Sequence, residues 1–265
     1  MIRDFMLGAR YLARGFRRIN EPGLRRYVWL PLVVNVAVFA VLFWLGAEAF
    51  QDLVGWLLPS ADAVTGNGWW SQTLGVLITA ARWLLWPVFL LAAGVVAFYT
   101  FTVLANLIGA PFNEFLAERV ERLATAGRQP ADSGGNVIGE LAGSITDELR
   151  KQAYFAVIAV VLLLLFLVPV IQLAAPVAWA AFGAWAAGLE YLDYPLGNHG
   201  LRFREQRRGL GRRRMLVLGF GAAVMVMTLI PLLNLLVMPS AVIGATMLWV
   251  EELGGRLPGS SLKKA

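Results

Sequence analysis

Uncharged, mostly apolar residues fill four long stretches of the chain: 27–47, 83–113, 152–189 and 215–250. A helix needs about 20 apolar residues to cross a hydrocarbon core of roughly 30 Å. The first stretch therefore predicts one spanning helix, 27–47, with Pro31 in its opening turns, where a missing N–H costs little. The second predicts a span over 83–108 that breaks at Gly109-Ala110-Pro111 and resumes as a charged amphipathic helix to about residue 126. Ahead of both, residues 1–20 gather Ile2, Phe5, Met6, Leu12, Phe16 and Ile19 near one helical face and place five arginines largely elsewhere. This pattern predicts a surface helix that turns its basic side to lipid headgroups.

The last two stretches are long for one span and short for two, at roughly 36–38 residues against the more than 40 that two spans and a turn require. Each carries two prolines near its middle, Pro169 and Pro176 in one, Pro231 and Pro239 in the other. An amide follows each first proline by three positions, Gln172 and Asn234. The pattern predicts two proline-broken re-entrant helical hairpins, at 152–189 and 215–250, that enter the membrane and turn back. Backbone groups at such tips need polar partners at depth, a need Gln172 and Asn234 could meet. Two kinked spans, or four tight ones, are the alternative. The fold class expected is an all-α integral membrane protein forming a single membrane domain over 1–265.

Composition and charge sharpen this reading. The chain is 58% hydrophobic and 15% charged, where a soluble domain is about half apolar and a quarter charged. All of its 23 lysines and arginines except Arg82 fall outside the 48–82 loop. That bias predicts cytoplasmic N- and C-termini and explains the basic balance without nucleic acid. The tryptophans at 56, 69, 70 and 83 read as an interfacial belt. An arginine-bearing segment precedes the first apolar run, so a cleaved signal peptide is not expected. With no cysteine and one histidine, His199, thiolate chemistry is excluded and no metal or other cofactor is expected.

No phosphate-binding loop, nucleophile elbow or zinc-protease motif is present, so the chain is not expected to be an enzyme. The apolar stretches carry no ionisable group. Acids stand only at their edges, at Glu48, Glu114, Glu190 and Glu251, which favours a passive path over tightly proton-coupled pumping.

Pro22-Gly23-Leu24-Arg25-Arg26 opens the first span with two guanidinium groups, although a helix N-terminus already bears about half a positive charge. Two readings are open: arginines that orient the helix in the membrane, or an oxyanion site built from free N–H groups, a glycine and two guanidinium forks. Further candidates lie in the amphipathic segment, with Glu118 and Arg122 four apart, and in the arginine-rich loop 201–214.

The residues PGLRRYVWLPLVVN (22–35), NLIGAPFNEFLAERVE (106–121), EYLDYPLGNH (190–199) and IPLLNLLVMPSAVIGATMLWVE (230–251) closely resemble the CysZ sulfate permeases of bacteria, in order along nearly the whole chain. The resemblance implies a multi-pass inner-membrane protein that admits sulfate for cysteine synthesis without ATP hydrolysis. It implies a sulfate site at Gly23, Leu24, Arg25 and Arg26, and two long membrane helices beside partly penetrating hairpins. It also implies a homo-oligomer. Beside it, Asn35, Asn106, Asn113, Glu114, Glu118, Arg119, Arg122, Gln172 and Asn234 are expected to line a pore. Sulfate and membrane lipids are the expected partners, and sulfite and related oxyanions share the same chemistry. An ion-coupled anion transporter and a non-transporting scaffold are the other classes.

Overall fold

The computed structural model describes residues 1–58, 68–125, 137–168 and 170–254; of these, the side chains of 98, 101–111, 137–145 and 232 are outside the description. Every regular element described is helical. In chain order these are α1 (Ile2–Arg18), α2 (Arg25–Leu57), α3 (Trp69–Ala124), α4 (Val137–Leu165), a 3-10 turn (Ile171–Leu173), α5 (Ala175–Gly197), α6 (Phe203–Leu210), a 3-10 turn (Gly211–Arg213), α7 (Arg214–Thr228), α8 (Pro231–Leu248) and a π-helical turn (Trp249–Leu253). The chain forms two compact units, Met1–Val28 with Pro111–Ala265, and Trp29–Ala110.

The second unit is the apolar part of α2 and α3. Both helices outrun the predicted spans. α2 continues past Ala47 through Glu48 and Asp52 to Leu57, since no proline intervenes before Pro59. α3 begins at Trp69 and is helical through Gly109-Ala110-Pro111, where the sequence predicts a break; the boundary between the two units falls at that point instead. α2 and α3 run antiparallel where they meet. Phe50 stacks on Phe89 at 4.2 Å and meets Trp86 edge-on at 5.2 Å, while the Arg82 guanidinium donates to the Leu58 carbonyl at 2.6 Å. Arg25–Leu57 and Trp69–Ala97 have apolar windows of mean hydropathy 2.4 and 1.8, of which 6% and 0% are buried within the protein. Surface of that kind calls for lipid or another protein around it.

The first unit has a packed core. Its third long apolar segment, Leu233–Leu253, is 61% buried within the protein, so this helix serves as core. α1, α5 and α8 pack around α7, with Leu189, Leu192, Leu216, Val217, Phe220, Ile243 and Trp249 almost fully enclosed. α1 keeps its amphipathic character but docks on the protein. Its Gly8, Tyr11, Leu12 and Gly15 stripe lies on α7 and α8, while Ile2, Met6 and Phe16 stay exposed. Small residues permit this. A Cβ on Gly15 would stand 2.1 Å from the Ser240 carbonyl oxygen, and one on Gly219 would stand 1.9 Å from that of Phe5. Two ion-pair groups secure the same face. Arg14 forms a fork with both Glu251 oxygens at 2.7 Å, joined by the Tyr11 hydroxyl at 2.9 Å, and Arg213 bridges Asp4 and Glu252.

α4 stops at Leu165 and α5 starts at Ala175, with Pro176 in its first turn; α7 stops at Thr228 and α8 starts with Pro231. Between α4 and α5, Val170 has φ of 73°, an uncommon conformation for a β-branched residue.

Candidate functional site

The Pro22-Gly23 turn is closed by three backbone hydrogen bonds. The N–H groups of Leu24 and Arg25 donate to the Glu21 carbonyl at 3.0 and 3.2 Å, and that of Tyr27 donates to the Leu24 carbonyl at 2.9 Å. Gly23 has φ of 94°, which an L side chain rarely adopts. Leu24 and Val28 are 1% and 3% exposed and pin the turn to the core of the first unit. Leu24 is thus an anchor, and the turn itself engages both its N–H and its carbonyl, so any ligand here is held by the arginine side chains and not by a free Leu24 N–H. With these two residues inward, Arg25 and Arg26 fall on the exposed face. Arg26 donates to the Tyr27 hydroxyl at 3.0 Å and lies over that ring at 4.9 Å. No carboxylate neutralises either arginine among the described residues.

The C-terminal part of α3 stands against this turn. The Arg119 guanidinium lies 3.6–3.7 Å from the position a Gly23 Cβ would occupy. Glu118 and Arg122 form the expected pair at 2.6 Å. Asn113 is buried and donates to the Tyr194 hydroxyl at 3.5 Å. Glu114 has its pKa raised by partial burial and then by the Asp193 charge.

The remaining expected residues are placed apart. Asn35 lies on α2 in the second unit, its Oδ1 buried without a hydrogen-bond partner among the described residues. Asn106 is on α3, its side chain outside the described residues. Gln172 sits in the 3-10 turn before α5 and Asn234 in the first turn of α8; both are exposed.

A family model described as "Sulfate transporter CysZ/Etoposide-induced protein 2.4" matches residues 11–239. The chain belongs to this family. Among relatives, the "Sulfate transporter CysZ" of Pseudomonas paraeruginosa is 40% identical over 249 residues, covering 93% of this chain and 96% of its own. Proteins of the same name from Pseudomonas fluorescens and Pectobacterium atrosepticum are each 38% identical, over 248 and 258 residues, covering 93% and 96% of this chain and 94% and 89% of their own.

The structure of this CysZ-family chain also reveals polar groups that sequence reasoning missed. Lys151, 4% exposed, stands between α4 and α5 with Nζ at 2.8 Å from Glu148, 2.9 Å from Asp193 and 3.2 Å from Glu190. Asp193 also accepts from Gln206 at 2.7 Å. Burial alone would lower the Lys151 pKa, but the Asp193 charge and the contacts with Glu148 and Glu190 raise it on balance. The stabilisation is therefore fully present below the unfolded lysine pKa of about 10.4 and is lost only as pH rises through the higher folded value. Lys151→Met is expected to cost about 3 kcal/mol, toward the lower end for breaking a buried ion pair because Glu190 retains solvent. A thermal melt in detergent within 1–2 °C of the native protein (roughly 0.5 kcal/mol) would refute that.

His199 and Glu121 form a second buried group, 2.7 Å apart and 2% and 1% exposed at their side chains. His199 also lies 5.3 Å from the Trp249 ring. The sequence signal for both groups was weak: a single histidine, and acids at the edge of an apolar run, with nothing to pair them across 42 or 78 positions.

Proposed function

We propose that this chain is a sulfate permease of the bacterial inner membrane, supplying sulfate for cysteine synthesis without ATP hydrolysis. The observation that carries the reading is the Gly23 turn. It fixes Leu24 inward and leaves two arginines, unneutralised among the described residues, exposed at the N-terminus of α2, the candidate span with the highest mean hydropathy of the three among the described residues. A purely orienting role needs arginines near that helix end but not a left-handed glycine before them. Sulfate would exchange part of its hydration for the Arg25 and Arg26 forks, held loosely enough to leave again. The relatives' printed name agrees with this substrate.

The finer features belong to the same proposal. α7, with 15 residues, is about 22 Å long at 1.5 Å per residue. That length falls short of a crossing and supports a partly penetrating hairpin at 215–250; the hairpin at 152–189 and the single membrane domain belong to the same proposal. The charge bias supports cytoplasmic termini. The exposed apolar faces of α2 and α3 support a homo-oligomer that covers part of them. The pore-lining roles of Asn35, Asn106, Asn113, Glu114, Glu118, Arg119, Arg122, Gln172 and Asn234 are likewise proposals of this reading.

Glu114 favours a second reading. A carboxyl with a raised pKa beside Asp193 is the kind of group an ion-coupled carrier uses.

Purified protein in liposomes decides among these readings. A passive permease gives saturable uptake of radiolabelled sulfate that stops at equal concentrations inside and out, with ATP and a pH gradient making no difference. Accumulation driven by an inward proton gradient, and lost in Glu114→Gln, would replace the passive reading by the coupled one. No flux from correctly inserted protein would leave the scaffold class standing.

A further inference from the structure

Arg119 has no counterion among the described residues. Its Nε is buried and without a hydrogen-bond partner among the described residues. The acids nearest to it in sequence, on α3 and on the turn, each have another partner, although the second Glu121 oxygen, Oε2, is buried without a hydrogen-bond partner among the described residues. Glu118, beside it on α3, is bound by Arg122 at 2.6 Å; Glu121, two positions on, is bound by His199 at 2.7 Å; Glu21, on the turn itself, is bound by Arg18 at 2.9 Å. A half-buried guanidinium carries a desolvation cost that a protein ordinarily offsets with an acid. Here α3 carries two acids within two positions of Arg119 and directs both to other partners. Arg119 instead lies over Gly23, its Nη2 and Nε at 3.6 and 3.7 Å from the point where any larger residue would put a Cβ. The glycine permits the turn, and the Arg119 guanidinium stands within van der Waals reach of a Cβ at that position.

We propose that Arg119 is a third guanidinium of the anion site at Gly23–Arg26 and the one that gives it preference for a doubly charged oxyanion. This rests on the reading of that turn as the sulfate site. Two exposed arginines in water attract any anion and are screened at physiological salt. A third, partly withdrawn from water and set against the turn from another helix, acts at a lower effective dielectric. The loss of one positive charge at fixed distance weakens a dianion about twice as much, in free energy, as a monoanion. Arg119 therefore affects the ratio of sulfate to monoanion affinity more than it affects anion binding in general.

The test measures sulfate half-saturation and inhibition by nitrate in proteoliposomes, for the native chain, Arg119→Gln, Arg119→Lys and Arg25→Ala/Arg26→Ala, with a thermal melt of each. Arg119→Gln is expected to raise the sulfate half-saturation tenfold or more (about the effect of one charge-assisted hydrogen bond), to change nitrate inhibition by about threefold at most, and to melt with the native protein. Arg119→Lys, which keeps the charge and loses the fork, is expected to fall between. Unchanged sulfate half-saturation in Arg119→Gln, while the double variant loses saturable flux, would overturn the inference and leave the Gly23–Arg26 site in place. Unchanged flux in both would remove the site and the inference with it. Parallel losses for sulfate and nitrate together with a lower melt would assign Arg119 a structural role and overturn the inference. If Arg119→Gln does not reconstitute, Arg119→Lys is read in its place, and a native half-saturation there is an overturning result.

Discussion

Replacing Arg25 and Arg26 together with alanine is expected to reduce sulfate affinity by about two to four orders of magnitude while the protein stays folded and inserted. Two hydrogen-bonded charge contacts at about 1.5–3 kcal/mol each set that scale, since 1.4 kcal/mol is tenfold. The fold is expected to survive for specific reasons. Neither arginine forms an ion pair among the described residues, so truncation leaves no acid there unpaired. The turn is closed by backbone groups, and Leu24 and Val28 hold it to the core. Arg26 does give up its hydrogen bond to Tyr27, but on an exposed face where water replaces it. Insertion is also protected, because the arginines of α1 and of the 201–214 segment preserve the charge asymmetry. Radiolabelled flux, with protease accessibility to check orientation, measures this. A correctly inserted double variant that retains native saturable uptake would make these two residues topology anchors and place selectivity elsewhere.

The largest structural effect is expected at Gly221, where α5 and α7 cross with their backbones in contact. A Cβ there would stand 1.8 Å from the Ala184 carbonyl oxygen and 2.7 Å from the Gly188 nitrogen, and both are backbone atoms of α5. No flexible side chain is available to move aside. Gly188 meets Val217 in the same way, its Cβ position lying 2.8 Å from that residue's carbonyl oxygen. Gly221→Leu must therefore separate the two helices along their length. That separation loosens Leu189, Leu192, Val217 and Phe220, all at 1% exposure or less. The expected cost exceeds about 4 kcal/mol, in the range where single substitutions are diagnostic of overpacking. Gly55→Ala is the control, since nothing lies within 4 Å of a Cβ there and alanine is the better helix former. Detergent-solubilised Gly221→Leu should melt far below native protein or aggregate, with Gly55→Ala near native. A native-like melt for Gly221→Leu would mean that α5 and α7 do not cross as described.

The long helices were legible in the sequence because membrane insertion depends on a local sum. Mean hydropathy over about 20 consecutive residues identifies a segment that prefers hydrocarbon, whatever it later touches. That sum located the cores of α2 and α3 but missed their ends, since a helix continues through Glu48 and Asp52 once it has started and only a breaker stops it. It also could not separate a lipid-facing helix from a core helix. Leu233–Leu253 and Trp69–Ala97 have the same mean hydropathy of 1.8, yet 61% of one window and none of the other is buried in the protein.

The candidate site divides in the same way. Gly23, Leu24, Arg25 and Arg26 are contiguous, so a glycine, an apolar anchor and two guanidinium groups at one helix start could be read directly. Their resemblance to the family's motif named the anion. Arg119 drew notice only as one charge on an amphipathic face, because its meaning lies in which acids are already taken and in what it stands over. Lys151 among its three carboxylates, and His199 against Glu121, were equally invisible. Such groups are joined by the packing of helices remote from one another in the chain, and whether a charge is paired or spare depends on that packing.

By itself, then, the sequence determined that the protein is helical, that α2 and α3 are apolar enough to cross a membrane, and that a basic glycine turn opens the first of them. Hydropathy and backbone conformation are properties of neighbouring residues, so no fold is needed to read them. Only the tertiary structure decided that α1 docks on α7 and α8, that α8 is core, and that Arg119 stands over Gly23 with no acid paired to it among the described residues. Each of these depends on close approach between distant helices, which small residues permit and which no local pattern specifies.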